Sequence, residues 1–528
     1  MTTDKAEIYD AVIVGGGIAG LVTAYMMRDQ KVLLLERTDR LGGKVETVTV
    51  GDTTLNIGTQ FFNEEDTSFV RLIDELGVQR TPHVVGGSSP YALHMDGQLR
   101  DDFGYLFRPK NLFHGLRLLS AMYRSSNTFK LSSDDPRWRE IMTTTLADLQ
   151  QGYPPEVLCP INIYMRGACL AKPSRTAGGI GALLTFDLIA ELSFAEGGTQ
   201  QITDELARRV GDRAVTEAEV LEVVDHGETV TTRVREGGNE RVVTSKAVVM
   251  AIPPAAVVET VAVLPDATRD ALEAVKWGPI IVVSVFLDPA FTWPRWAGIL
   301  SDDAIFPGVM DATYDQELGP DDPVIYNCFV SVPPDEAELI QDLAAKSDGE
   351  IADLVVADLR RVLSDHDVDA FVRDTMVTRY PLGELELSPE YYLEVLPHVE
   401  HPIGNIHLTG EYTHRVSFLA GAALSGFRAA RALGSEHVVS EEDEIVFPEV
   451  PRWGRFGFAS LAAAAAVGIG GAILGGAVGM AILLLAVLLF CLTAVWPKLL
   501  PPNRSVYAAL FGASVLLGAI AITVGLAT

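Results

Sequence analysis

Cysteine is nearly missing from this chain of 528 residues: there are four, Cys159, Cys169, Cys328 and Cys491. None sits in a C-x-x-C frame and no histidine cluster accompanies them, so a zinc site or a disulfide framework has no support and no metal is expected. Lysine is also sparse, ten against 31 arginines, and acids outnumber both. Residues 1–455 carry 39 basic and 70 acidic side chains, a net charge of −31. A surface that acidic repels a phosphate backbone, which argues against nucleic acid as a partner. From residue 456 onward charge itself is lacking: only Lys498 and Arg504 remain, and the last acid is Glu449. The N-terminus lacks a basic segment followed by an apolar run, so no secretory leader is expected and the first domain should stay in the cytoplasm. Residues 266–394 lack a Ser/His/Asp set or a paired-carboxylate constellation, so hydrolysis finds no support.

What is present is a dinucleotide fingerprint at residues 9–36, YDAVIVGGGIAGLVTAYMMRDQKVLLLE. Residues 11–14 form a short apolar run that reads as a fully buried strand. Gly15, Gly17 and Gly20 follow in a G-x-G-x-x-G frame. Ile18, Leu21, Val22, Tyr25 and Met26 then recur at helical spacing, and a second buried strand, residues 32–35, ends on Glu36. Gly15 permits a tight turn, Gly17 lets a pyrophosphate approach the backbone, and Gly20 brings helix against strand. The phosphates would meet the helix N-terminus at Ile18 and Ala19, where unpaired amides and the helix dipole favour negative charge. Glu36 can accept hydrogen bonds from ribose hydroxyls. This fingerprint alone leaves NAD and FAD open.

From Glu36 the chain reads ERTDRLGGKVETVTVGDTTLNIGTQFF. An acidic strand end, then R-L-G-G-K and a hairpin into I-G-T-Q-F-F, resembles the flavin-containing amine oxidase superfamily. That group includes monoamine and polyamine oxidases, protoporphyrinogen oxidases and carotenoid desaturases. The resemblance implies FAD, with Arg37, Arg40, Gly42, Gly43 and Lys44 along its phosphates and Gly58, Thr59, Gln60 and Phe61 approaching the flavin ring. The chemistry agrees, since Gly42-Gly43 lets the backbone come close and Lys44 offers a cation to a diphosphate. Further on, residues 220–224, 229–235 and 241–244 read as a β-meander and residues 246–252 as a buried strand. The resemblance puts the Val220 backbone against the adenine. Residues 405–426, NIHLTGEYTHRVSFLAGAALSG, resemble the superfamily's C-terminal motif. There the backbone of Gly410 and Glu411 would bind FAD, and after a loop a small-residue helix at residues 421–433 would point at the flavin, with Phe418, Ala420, Gly421 and Ala422 against the cofactor. The wording of this loop is most similar to the desaturase branch.

The expected fold is therefore α/β. A discontinuous Rossmann-type FAD domain (residues 1–68, 195–265 and 395–436) would carry an inserted α+β substrate domain (69–194 and 266–394). Residues 437–455 form a linker. Residues 456–528 are expected to cross a bilayer about three times, since 41 uncharged residues are too long for one span and three spans put Arg452, Arg455, Lys498 and Arg504 on one side. A basic, apolar-faced stretch at residues 103–133 fits either a membrane surface or a helix packed over the pocket. His414 and Arg415, in a loop, are expected to face solvent rather than the flavin.

The resemblance also separates chemistries. Amine oxidases of this superfamily place a lysine near the flavin in the strand IIVVSVFL, where alignment puts Val282. They frame the amine with two aromatic residues, of which this motif keeps Phe418, with Tyr412 in the Gly-Glu turn. The leading expectation is thus a membrane-anchored FAD-dependent dehydrogenase or desaturase of a lipophilic, carotenoid- or polyprenoid-type substrate, with the lipid bilayer as partner and oxygen or quinone as electron acceptor. Its location would be the cell membrane, multi-pass, with the FAD domain in the cytoplasm. The alternatives are a protoporphyrinogen-oxidase-like enzyme, an amine oxidase and a non-catalytic membrane flavoprotein. No catalytic side chain stands out.

Overall fold

The strand Ile8–Val14 lies at the centre of the first sheet because both its faces are apolar. Ala11 and Ile13 enter one core and Val12 and Val14 the other, all buried. A parallel strand covered on both sides reads as an unbroken hydrophobic run, which is what residues 11–14 are. The computed structural model describes residues 8–437 apart from residues 65, 85–90, 101–103, 187–190, 292–297 and 315. Within it the seven-stranded first sheet runs Ala214–Val215, Val32–Leu35, Ile8–Val14, Asn239–Met250, Val230–Glu236 and Ala218–Asp225, with Ile406–Leu408 also pairing to Asn239–Met250. Strands from three distant parts of the chain thus share one sheet.

The helices Ile18–Met26 and Phe418–Ala432 pack on one face, joined by Gln200–Val210. Burying each large aliphatic side chain there contributes about 1.5–3 kcal/mol. The sequence segments 241–244 and 246–252 are one strand, Asn239–Met250. Its first half pairs antiparallel with Val230–Glu236 and its second half parallel with Ile8–Val14. Its burial changes accordingly, from four exposed residues at 239–242 through a short alternation to four buried residues at 247–250.

The second sheet also has seven strands, in the order Val372–Leu385, Trp277–Leu287, Val324–Ser331, Gly308–Asp311, Gly298–Ser301, Tyr91–Met95 and Gln98–Arg100. In Trp277–Leu287, Ile281, Val283, Val285 and Leu287 face a core shared with Ile351, Val355 and Leu359 of the helix Asp348–Val362. Ile280 and Val282 point the other way, into a cavity. The helix Thr67–Leu76 forms where expected and ends on Gly77 in the left-handed conformation, but its N-cap is Asp66 rather than Thr67.

Among the described residues no helix is long and apolar enough to cross a membrane. The longest, Pro109–Phe129, carries Lys110, Arg117 and Arg124 and packs against Gly178–Leu184, with Leu118, Met122 and Phe129 buried. The expected multi-pass cell-membrane location, with its transmembrane segment, is corrected on this finding: the described residues supply no spanning helix. The stretches 456–496 and 506–526 and most of the linker, on which that location was argued, lie outside the described residues.

Candidate active site

The three fingerprint glycines do three different things. Gly15 has φ +105°, and a Cβ on it would lie 2.3 Å from the Ala251 carbonyl oxygen, so the turn excludes any side chain. A Cβ on Gly20 would lie 2.0 Å from the Gly15 oxygen, which fixes how closely helix meets strand. A Cβ on Gly17 would meet nothing within 4 Å. Its amide neighbours Ile18, Ala19 and Gly20 open the helix, whose first turn is closed by Leu21 N–H donating to the Gly17 carbonyl at 2.9 Å. The cradle therefore has tight walls and one open side at the positive end of a helix.

A second loop is stitched onto it. Gly42 N–H donates to the Gly16 carbonyl at 2.8 Å, and Gly17 and Gly42 form a β-bridge. Gly43, at φ +60°, would place a Cβ 3.2 Å from the Gly17 Cα. Arg40 holds this loop from within, donating to the carbonyls of Leu41, Gly43 and Val45 and to Glu46. Arg37 is exposed. Glu36 accepts the Gly16 N–H at 2.7 Å on one oxygen and the Thr38 N–H and hydroxyl, both at 2.8 Å, on the other. Ala218 N–H donates to the Glu36 carbonyl at 2.8 Å, which brings Val220 to the same sheet end, beside a register shift between Val220 and Glu222.

The last segment closes against both. Gly410 (φ +125°) donates its N–H to Ser425 Oγ at 2.8 Å, and Ser425 donates to the Ala422 carbonyl at 2.6 Å. A Cβ on Gly421 would lie 1.8 Å from the Val416 oxygen. Phe418 opens the helix at φ +69°, a left-handed backbone that only well-supported structure holds in an aromatic residue.

These segments bound one side of a cavity of about 240 Å³. Lys44, Gly58, Thr59, Gln60, Phe61, Phe418 and Ala420 line that side. Gln60 is held inward, donating to the carbonyls of Asn56 at 3.0 Å and Gly58 at 2.7 Å and accepting from Asn327 at 3.2 Å. The opposite wall comes from the second sheet, through Ile280, Val282, Val309, Phe329, Tyr380 and Glu384, with Tyr164 and Leu183 from helices. Val282 does face this space.

Lys44 does not point into free solvent. Its ammonium is ion-paired to Glu411, donates to the carbonyl of Gly383 at 2.9 Å, and lies 5.1 Å from the Trp277 ring centroid. The side chain keeps 42 % of its surface open because it lines the cavity. Burial works against its charge, but Glu411 and Glu384 more than offset this and its pKa is raised. Glu411 is 8 % exposed and also accepts from the Ser417 hydroxyl at 3.3 Å.

Glu384 was invisible as a site residue in the sequence. It ends the strand Val372–Leu385, and its Oε2 is buried without a hydrogen-bond partner among the described residues. Burial, then the charge of Glu411, push its pKa up to about 8, and Lys44 only partly reverses this. The one signal was the alternation Glu384-Leu385-Glu386-Leu387, two acids alternating with two buried leucines. Glu386 forms a bidentate pair with Arg175, so one acid is structural and the other is left over.

His414 differs from the solvent-facing expectation. It is 5 % exposed, with Nδ1 at 3.2 Å from the Val416 amide nitrogen, and burial, then Arg428, lowers its pKa to about 3. Arg415 stacks on Trp138 and donates to the Leu131 carbonyl. Neither lines the cavity.

A glycine cradle open on one side at a helix start, an acid at the second strand end, and a cavity reached by two glycine-rich segments fit an extended dinucleotide whose redox ring sits between two sheets. The class so defined is an FAD-dependent oxidoreductase. Comparison with known proteins then places it. The profile of the family described as flavin containing amine oxidoreductase matches residues 18–434, and the chain belongs to that family. A probable flavin-containing monoamine oxidase A of Dictyostelium discoideum is 25 % identical over 460 residues, 81 % of this chain and 98 % of that protein. Putrescine oxidase of Kocuria rosea is 28 % identical over 275 residues, which span 57 % of that protein and 46 % of this chain. The structure of cyclohexylamine oxidase from Brevibacterium oxydans superposes with a TM-score of 0.66 at 18 % identity, covering 81 % of this chain and 99 % of that one. Wild-type putrescine oxidase bound to putrescine gives 0.65 at 19 %, with the same coverage. These structural likenesses establish the fold. The flavin family match ends at residue 434, before the uncharged stretches, so neither the membrane location nor the bilayer and lipophilic substrate expected as partners gain support from it.

Proposed function

We propose that the protein is an amine oxidase, converting a C–N single bond of a small amine to an imine that water then hydrolyses. This reverses the ranking drawn from the sequence, where Val282 in place of a lysine demoted amines in favour of a desaturation. The relatives named above are monoamine, putrescine and cyclohexylamine oxidases. The observation that carries the reading is a buried carboxylate oxygen without a hydrogen-bond partner among the described residues, Oε2 of Glu384, in a cavity walled largely by aromatic and aliphatic side chains. Such a pocket favours a cation on an apolar stem, by charge and by ring faces.

FAD, when bound, supplies the two-electron acceptor. The residues that would hold it are Gly15, Gly17, Ile18, Ala19, Gly20, Arg40, Gly42 and Gly43 at the phosphates, Glu36 at the ribose, Val220 at the adenine, and Gly58–Phe61 with Gly410, Glu411 and Phe418–Ala422 at the ring. Lys44, neutralised by Glu411, would fix the floor of the cavity instead of meeting a phosphate. Tyr380 and Phe418 would flank the amine, while Leu183, Val309 and Met310 exclude water from it. We further propose residues 1–68, 195–265 and 395–436 as the FAD-binding unit and the remainder to residue 394 as the substrate unit. Oxygen is the electron acceptor in this reading.

The test is anaerobic mixing of the yellow protein with primary amines, carotenoids and porphyrinogens in parallel. The expected result is bleaching by amines and recovery of colour with release of hydrogen peroxide when oxygen is admitted. Bleaching by a carotenoid or porphyrinogen with none by any amine overturns the assignment.

A further inference from the structure

Among the described residues, two ionisable side chains on the cavity wall, Glu384 and Tyr380, bury an oxygen with no hydrogen-bond partner, and Glu384 is the carboxyl of the two. Lys44 and Glu411 neutralise each other, and Lys44 spends further donors on the carbonyls of Leu382 and Gly383. Glu384 stands beside this pair with Oε2 buried and unbonded, on the wall opposite the glycine-rich loops. Glu411 and Lys44, from those loops, act on its charge, and the other titratable groups on the cavity lining are Tyr380 from its own strand, Asp66, Tyr164 and Cys169. A carboxylate with no counter-cation of its own in an apolar cavity is unfavourable, so the empty site keeps a proton on it.

We propose that Glu384 is the specificity-determining residue of the cavity, exchanging its own proton for the ammonium group of the incoming amine. This rests on the amine-oxidising reading above. The balance is simple: the ammonium enters with its positive charge, the O–H bond of Glu384 breaks, and that proton leaves to solvent. In the bound ion pair one N–H bond of the ammonium can then break and its proton pass to the Glu384 carboxylate, leaving a neutral amine with a free lone pair beside a neutral carboxyl group. An uncharged analogue cannot displace the proton and gains nothing from Glu384. Burial and Glu411 raise the Glu384 pKa to about 8 in the empty cavity, and an added cation lowers it. Proton release should therefore be close to one at neutral pH and fade as the pH rises past 8, where the group has already ionised.

The experiment is calorimetric binding to the FAD-loaded protein in buffers of differing ionisation heat. The probes are tert-butylamine, which has no hydrogen to lose at the carbon bearing nitrogen, and tert-butanol as its uncharged counterpart. In wild type we expect about one proton released per amine at pH 7 and none for the alcohol. In Glu384→Gln, release should vanish and amine affinity should fall at least about tenfold, with alcohol binding and flavin content unchanged; Glu384→Asp should recover part of both. Equal amine affinity and equal proton counts in wild type and Glu384→Gln overturn the proposal. So does zero release by wild type at pH 7, a measurement that needs no variant. If amines bleach the flavin of wild type but bind wild type and Glu384→Gln with equal affinity and equal proton counts, the amine reading stands and only Glu384 falls. If amines neither bind nor bleach wild type, both fall.

Discussion

A methyl group added at Gly17 would touch nothing, whereas at Gly20 it would lie 2.0 Å from a backbone oxygen. The same substitution should therefore act on different states. Gly17→Ala, at a residue with φ −72° that alanine adopts freely, should leave the flavin-free protein within about 0.5 kcal/mol of wild type. It should still cut flavin content, because the methyl fills the side left open for a phosphate. Gly20→Ala should destabilise the flavin-free protein itself by about 1–3 kcal/mol or more, since helix and strand must separate. Thermal unfolding and bound flavin per chain, measured on both, check this; equal effects on flavin-free stability would show that Gly17 is also a packing glycine. Both positions were legible in the sequence because a fixed frame assigns each its task. Glu384 was not, because whether an acid at a strand end faces a cavity depends on register, and one residue of slip exchanges it with Leu385.

Elements obey the same distinction between local and distant causes. The helices Ile18–Met26 and Phe418–Ala432, about 400 residues apart in sequence, touch through Gly426, where a Cβ would fall 2.6 Å from the Ala19 oxygen and 3.2 Å from Thr23 Oγ1. Thr23 in turn donates to the Gly426 carbonyl at 3.4 Å. Gly426→Val should push the helices apart, lower stability by about 1–3 kcal/mol and weaken flavin retention, because both helix starts border the cradle. A variant with unchanged unfolding and flavin content would mean that this crossing has slack. The small residues at 421–426 were readable as helical, although the helix opens three residues earlier, at Phe418, and the buried strands were readable from unbroken apolar runs. The long strand Val372–Leu385 was not, since its residues are mostly half-buried and carry neither a clean alternation nor an apolar run. The basic stretch after residue 103 was readable as a helix but not by its partner, which is the neighbouring Gly178–Leu184.

At the scale of the whole molecule, the strand Asn239–Met250 binds the fold together by pairing with Ile8–Val14, Val230–Glu236 and Ile406–Leu408. That three-part sheet was only suggested by family resemblance, because pairing between strands hundreds of residues apart leaves no local trace. Under the proposed assignment, FAD touches all three parts, so it acts as a cross-link present only in the folded state. A ligand that binds only the native chain adds RT ln(1 + [L]/Kd), about 2.7 kcal/mol at a hundredfold excess over Kd. Each kcal/mol moves Tm by roughly 2 °C in a large domain, so stripping FAD should lower Tm by about 5 °C. Because the same sheet collects all three segments, the loss should shift one cooperative transition rather than split it. Differential scanning calorimetry before and after flavin removal, and again after adding FAD back, reads this directly. A Tm indifferent to FAD would remove the flavin from the architecture. A transition that splits in two would instead mean that the two sheets unfold independently, and that the cavity between them is held open without the cofactor's help.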